Sequence, residues 1–436
     1  MSIEKKYLKE WCKMSEQKIT EKLSYLTDII TSYDGHEQRI KLRQYPRHYY
    51  SYDYSAMSKY EAQWLRAMLR IPQQETYYIP MWHNILYIQE KAYKDSTVLY
   101  IDHDYMYNLK DCMVIEVFAH DDVPSTHANF YTPVKRYGGG FIGIVKRLPR
   151  DLLPETSWII PLKPCRLQSP YELNYIYSNG TETTINFEEV LYHPQMNIPM
   201  EFEMNYSSTE YFNKYNLPTT YNGREVFTFL PDFVNDDDAK MSVNKNVVRV
   251  DNTTGVFTYD MKNTKSYDTH TFTITMMDKR LINNMHIFFN RVCGRFKSFY
   301  TPTWSNDIEP SFDIDKEEKV IYTRVELAQY YKYNTRHRLI VVFTKDYKSH
   351  IFKIGEMESV TLEDKLDYTK IYITSDIKET IPKNKIFMIS YLQLVRLDSD
   401  DIEFKYETNI VARTELSFKE VDDDEPNLNT NTSVNS

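Results

Sequence analysis

Tyr77-Tyr78-Ile79-Pro80-Met81-Trp82-His83-Asn84 returns 222 residues later as Phe299-Tyr300-Thr301-Pro302-Thr303-Trp304-Ser305-Asn306. The same spacing relates His48-Tyr49-Tyr50-Ser51-Tyr52-Asp53-Tyr54 to His270-Thr271-Phe272-Thr273-Ile274-Thr275-Met276, and Val98-Leu99-Tyr100 to Val320-Ile321-Tyr322. Further on the offset drifts by a few residues, as loop insertions would make it do. Val114-Ile115-Glu116-Val117-Phe118 answers to Leu339-Ile340-Val341-Val342-Phe343, Cys165-Arg166-Leu167 to Val395-Arg396-Leu397, and Ile185-Asn186-Phe187 to Leu416-Ser417-Phe418. The blocks keep one order, which chance does not give, and self-similarity at a long period marks a tandem duplication. The reading divides the chain into a first unit at 1–200, a second homologous unit at 201–421 and a polar tail at 422–436.

Period sets the elements within a unit. Tyr50, Tyr52 and Tyr54 alternate with Ser51 and Asp53, and Phe272, Ile274 and Met276 alternate with threonines, so each stretch predicts a half-buried strand. A stretch free of Pro and Gly follows at 58–70 and at 278–292; Ile282, Met285, Phe288, Phe289 and Val292 fall at helical spacing, as do Leu65, Met68 and Leu69. Pro72 and Gly294 then stop the helices. Short β-branched and aromatic runs with turn signals fill the rest. The predicted fold is mainly β (α+β): two tandem homologous β-barrel or sandwich units, each with one prominent helix. A polar connector at 191–222, marked by Pro194, Pro199 and Pro218, separates them. The tail is expected to be frayed unless a partner orders it.

The chain has 436 residues, 42% of them hydrophobic, enough apolar surface for real cores and too much for a disordered chain. No run of 18 apolar residues occurs, so a spanning helix is not expected, and the first residues carry no apolar signal-peptide region. The net charge of −9 argues against nucleic-acid binding over the whole surface. Tyr is unusually frequent (38) and Gly scarce (10), which favours strands over the tight backbone turns of nucleotide sites; a low-GC genome is the alternative source of the tyrosines. Cys12, Cys112, Cys165 and Cys293 are scattered and read as reduced, buried thiols.

Chemistry-bearing patterns are few. Tyr137-Gly138-Gly139-Gly140-Phe141-Ile142-Gly143 lacks the Lys-Ser or Lys-Thr pair of a phosphate loop and reads as a tight hairpin. Asp102-His103-Asp104, His120-Asp121-Asp122 and Asp236-Asp237-Asp238 are consecutive residues, which point to opposite faces of a strand and read as solvated loops rather than metal ligands. No nucleophile elbow or zinc-protease motif is present. No catalytic residue, cofactor or metal is expected. Trp82 and Trp304 read as core plugs after Pro-initiated turns, with a sugar-stacking platform as the alternative.

The run from Phe288 through Arg291, Gly294, Arg295, Phe299, Tyr300, Pro302 and Trp304 to Asp307 resembles the helix-then-strand pattern of tailed-bacteriophage tail proteins. The closing block from Tyr391 through Arg396 to Val421 is similar to how those proteins end, and the first copy keeps Pro80 and Trp82 but has Pro72 where the second has Gly294-Arg295. The resemblance implies a structural, non-enzymatic virion protein of the distal tail or baseplate hub. It implies a ring around the DNA channel, assembled in the host cytoplasm with tube, tip or fibre proteins as neighbours and without membrane insertion. His48, Pro80, Trp82, Arg166, His270, Gly294, Arg295, Pro302, Trp304, Asp307 and Arg396 are its structural signature. With a duplicated unit, three chains present six similar units, a pseudo-six-fold ring; a hexamer of chains is the alternative stoichiometry. The competing function is a host-glycan-binding adsorption protein of the tail tip.

Overall fold

From Arg47 to Ala56 every second side chain, His48, Tyr50, Tyr52, Tyr54 and Ala56, is buried, the alternation that one face of a sheet imposes. The structure is a computed structural model and describes residues 19–32, 35–56, 58–70, 76–101, 114–119, 130–138, 140–177, 180–190, 214–233, 239–251, 253, 255–327 and 336–422. Most of the expected connector (191–213), the tail from 423 onward, Cys12, Cys112, Pro72 and the acidic groups at 102–104, 120–122 and 236–238 lie outside the described residues.

In the first half β1 (Ile19–Ser24), β2 (Thr27–Thr31), β3 (Glu37–Lys41) and β4 (Arg47–Ala56) precede helix α1 (Lys59–Met68). After it come β5 (Tyr77–Pro80), β6 (Leu86–Tyr87), β7 (Val98–Tyr100), β8 (Val114–Ala119), β9 (Phe130–Gly138), β10 (Phe141–Ile144), β11 (Ser157–Leu167), β12 (Asn174–Tyr177) and β13 (Gly180–Glu189). A small hairpin of β14 (Thr220–Tyr221) and β15 (Arg224–Glu225) leads to β16 (Ala239–Asp251), β17 (Phe257–Met276) and helix α2 (Lys279–Val292). The second half closes with β18 (Phe299–Pro302), β19 (Val320–Thr323), β20 (Leu339–Thr344), β21 (Ser349–Thr361), β22 (Asp367–Ile373), β23 (Ile386–Leu397), β24 (Asp401–Tyr406) and β25 (Ala412–Glu420). The protein is mainly β with two α-helices among the described residues.

One succession of antiparallel pairings occurs twice. β4 lies between β1 and β13, β11 takes β5, β8 and the end of β13, and β10 lies between β7 and β9. In the second half β17 lies between β16 and β25, β23 takes β18, β20 and the end of β25, and β22 lies between β19 and β21. Each helix sits between corresponding strands. Ser58 and Glu61 form a capping box on α1, and Asp278 caps α2 through the Arg280 amide. Cys293 (φ 55°) and Gly294 (φ 63°) take the left-handed conformation that ends α2. The glycine stretch forms the β9–β10 hairpin, with Gly140 at φ 77° in its turn.

The pairings correct one alignment. Tyr50 faces Phe187 and His270 faces Phe418, while Phe187 and Phe418 face the counterparts Leu167 and Leu397. His270 therefore stands where Tyr50 stands, and Asp268, not His270, is the counterpart of His48. A slip of two residues leaves every side chain on its own face, so a period-two pattern cannot register it. Pro80 and Pro302, opposite Leu162 and Leu392, do match as aligned. Trp82 and Trp304 are both buried, but Trp82 opens a 3-10 turn whereas Trp304 has φ 56°.

β1 ties the halves together. One of its edges pairs with β4 and the other with β24, so that Ile19 lies between Tyr52 and Tyr406, Glu21 between Tyr50 and Phe404, and Leu23 between His48 and Ile402. A central apolar core draws on both halves, from Tyr50 and Phe187 to Phe289, Phe299, Phe404 and Phe418. Two satellite cores lie under the outer strands, around Leu99, Ile142 and Ile159 in one half and Ile340, Phe352 and Ile371 in the other. β12 is the first-half counterpart of β24, because Tyr175 faces Thr181 as Tyr406 faces Ala412. Phe404 is fully buried, whereas its counterpart Leu173 is only half-buried. Phe404→Ala should therefore cost about 3–5 kcal/mol, and Leu173→Ala about 1 kcal/mol in the free chain. Urea unfolding midpoints of the two variants measure the contrast.

Candidate assembly junction

The β1–β24 seam holds a cluster of buried ionisable side chains. Glu21 points from the middle of β1 into the core with 6% of its side chain exposed. It accepts a hydrogen bond from the Tyr406 hydroxyl at 2.9 Å. Three imidazoles face it: His286 of α2 at 3.4 Å, His83 at 3.7 Å and His48 at 4.0 Å. His286 stacks on Phe404 with ring centres 4.1 Å apart, and His83 lies 4.4 Å from the Tyr406 ring. His48 and His83 come from the first half and His286 and Tyr406 from the second, so Glu21 is gripped from both sides of the seam.

Beside it, Lys163 meets both Glu189 oxygens at 3.3 Å, and Tyr50 donates to the same carboxylate. The four positions His48, Tyr50, Lys163 and Glu189 recur in the second half as Asp268, His270, Gln393 and Glu420 by the pairings described above. There the Gln393 amide oxygen accepts from His270 Nε2 at 2.6 Å, and its amide nitrogen donates to Asp268 at 2.8 Å and to His337 Nε2 at 2.6 Å. The Asp268 amide donates to Glu420, which also pairs with Arg336 at 3.3 Å. One polar core position thus appears in each half with different chemistry.

Outside the core the β2–β3 hairpin reaches over the second half. Its Glu37 makes a two-point pair with Arg396, at 2.7 and 2.9 Å, and takes Lys419 at 3.0 Å. Arg295 pairs with Asp400 and donates to the Thr27 carbonyl, while Asp400 accepts from the Thr27 amide at 2.7 Å. Gly294 is required here, since a Cβ would meet Asp400 Oδ1 at 2.6 Å and the left-handed backbone already disfavours any other residue.

The signature residues are spread over several places. Gly294, Arg295 and Arg396 are junction residues. His48 lies in the buried charge cluster and His270 in its second-half counterpart. Pro80 accepts a hydrogen bond from Tyr52, and Asp307 caps the turn after Pro302 through Thr303, Ser305 and the Tyr391 amide. Arg166, the counterpart of Arg396, is exposed. Pattern reading does not find Glu21, because a charged residue inside Ile19-Thr20-Glu21-Lys22-Leu23-Ser24 reads as surface; the alternation of Ile19, Glu21 and Leu23 is the signal that was available. Among the described residues no His, Cys, Asp or Glu group is arranged to hold a metal ion.

The charges set an acid response. Burial pushes the Glu21 carboxyl up, but His286, His83 and His48 outweigh it and hold it well below the usual carboxylate range. Burial pushes His83 down to about 4, even beside Glu21. Burial also raises Glu37, and Arg396 and Lys419 overcome it and bring it to about 2. Burial raises Glu189, with Lys163 opposing it. A histidine depressed in the folded state binds its proton first in the unfolded chain, so its contribution is complete above pH 6.5 and falls as pH drops towards 4. Glu21 and Glu37 contribute above pH 4.5 and lose their contributions only at lower pH, while Glu189 acts in the opposite sense and weakens the fold as pH rises through its raised value. Stability should thus decline between pH 6.5 and 4 by up to about 3 kcal/mol through His83. His83→Gln should flatten that slope, and urea midpoints at pH 7, 6, 5 and 4.5 check it.

No protein-family model matches the sequence, and no curated protein sequence matches it significantly.

Proposed function

We propose that the protein is a non-enzymatic structural component of a bacteriophage tail, forming part of the distal tail or baseplate hub ring around the DNA channel. The observation that carries this reading is the seam itself. Two similarly paired β halves are joined edge to edge, the second half's β24 against the first half's β1, so the contact is head-to-tail rather than self-complementary. A head-to-tail contact repeated between chains gives a closed ring when the rotation closes. Three chains then place six similar units around an axis, with other tail proteins as neighbours.

The aromatic side chains support assembly over glycan binding. Tyr50, Tyr52, Phe187, Phe227, Phe299 and Phe418 are spent in the central core. Tyr175 and Tyr177 on β12, and Phe257 and Tyr259 on the outer β16–β17 hairpin, are exposed on strands at the two ends of the sheet rather than in one cleft. Projection images of the purified particle should show three chains and six lobes around a central hole. A particle with two-fold symmetry, or a monomer at every concentration, would contradict the reading.

A further inference from the structure

The internal seam is a template for a contact between chains. β16 is the counterpart of β1: Met241 faces His270 as Glu21 faces Tyr50, and Val243 faces Asp268 as Leu23 faces His48. β12 is the counterpart of β24. Within the chain, β1 and β24 cover each other, and Ile19, Glu21, Leu23, Ile402, Phe404 and Tyr406 are all buried. The corresponding positions on β16, on β12 and just before β12 are less covered. Met241 is 54% exposed, Val243 60% and Tyr175 62%, and Tyr171 and Leu173 are half-buried. Neither β12 nor this part of β16 has a strand on its outer edge among the described residues. Exposed apolar edge strands recruit another strand.

We propose that a second copy of this chain docks here, its β16 pairing antiparallel with β12 of the first and with residues 171–173 just before it. The seam fixes the register: Ala239 lies opposite Tyr175, Met241 opposite Leu173 and Val243 opposite Tyr171. Methionine stands where the internal seam has Glu21, so this junction is apolar where the internal one is charged, and the two cannot exchange partners without burying an unpaired carboxylate.

The outer hairpin completes the match. The β2–β3 hairpin, inserted between β1 and β4, lays Glu37 on Arg396. The extension of β16 and β17 beyond Val243 and Asp268 is inserted at the corresponding place and carries exposed Val247, Val248, Val250, Val256, Phe257 and Tyr259. In the docked pair it lies over the neighbour's first half, where Arg166 is exposed at the position of Arg396.

This assignment deepens the ring reading and rests on it. The test mixes two full-length chains in a background with Cys12→Ser and Cys112→Ser, one carrying Leu173→Cys and the other Met241→Cys, joined by oxidation or a short bismaleimide. A covalent product containing both chains is expected, whereas Tyr171→Cys mixed with Ala239→Cys, four residues out of register, should give none. Arg166→Glu should weaken association at least tenfold with an unchanged melting temperature. Mass photometry on the same samples separates the two claims. A closed ring without the in-register product overturns the strand assignment and leaves the ring intact, and a chain that stays monomeric overturns both.

Discussion

A β-strand has two hydrogen-bonding edges, and β1 uses both. One edge completes the sheet of the first half and the other completes that of the second, so six residues hold β4 and β24, which are 354 positions apart from Tyr52 to Tyr406; the bond from Tyr406 to Glu21 spans 385. Central core packing, the position of α2 and the reach of the β2–β3 hairpin all follow from that placement. Tyr25, just after β1, packs on Phe289 and bonds Asn290 of α2 at 2.7 Å, which fixes the helix against the same strand.

A buried carboxylate is an expensive way to make a seam, because its desolvation offsets much of what its partners contribute. What it supplies is selectivity. Three imidazoles and a tyrosine from both halves converge on Glu21, and any other strand in the place of β1 leaves them without that acceptor. The second half puts Met241 at the corresponding position, so the two edges of the chain are chemically distinct although their backbones correspond. Difference of this kind directs like strands to unlike partners.

Much of the fold is legible in the sequence, and the limits are physical. The alternation at Tyr50, Tyr52 and Tyr54 marks a half-buried strand, the apolar stripe from Ile282 to Val292 marks a helix, and the Pro80–Trp82 and Pro302–Trp304 blocks mark matching strand ends, each followed by a buried Trp. Register is less accessible. The histidines His48 and His270 align by identity, yet the sheet sets them two residues apart, a slip that no side-chain pattern detects. The seam is hidden for another reason. Pairing between Ile19 and Tyr406 has no local signature, and Glu21, its central residue, has the composition of a surface position. Arg396 and Arg295 stand out in the sequence as motif residues, but their roles depend on Glu37 and Asp400, which only the folded chain brings to them.

Amide hydrogen exchange of the free chain tests the account most directly. If β1 is the strand that both halves share, peptides covering Ile19–Ser24 and Asp401–Tyr406 should exchange together and as slowly as Ala412–Glu420, while Asn174–Tyr177 exchanges far sooner. Rapid exchange of Ile19–Ser24 while β4 and β24 remain protected would show that the two halves hold together without it, and would contradict the account.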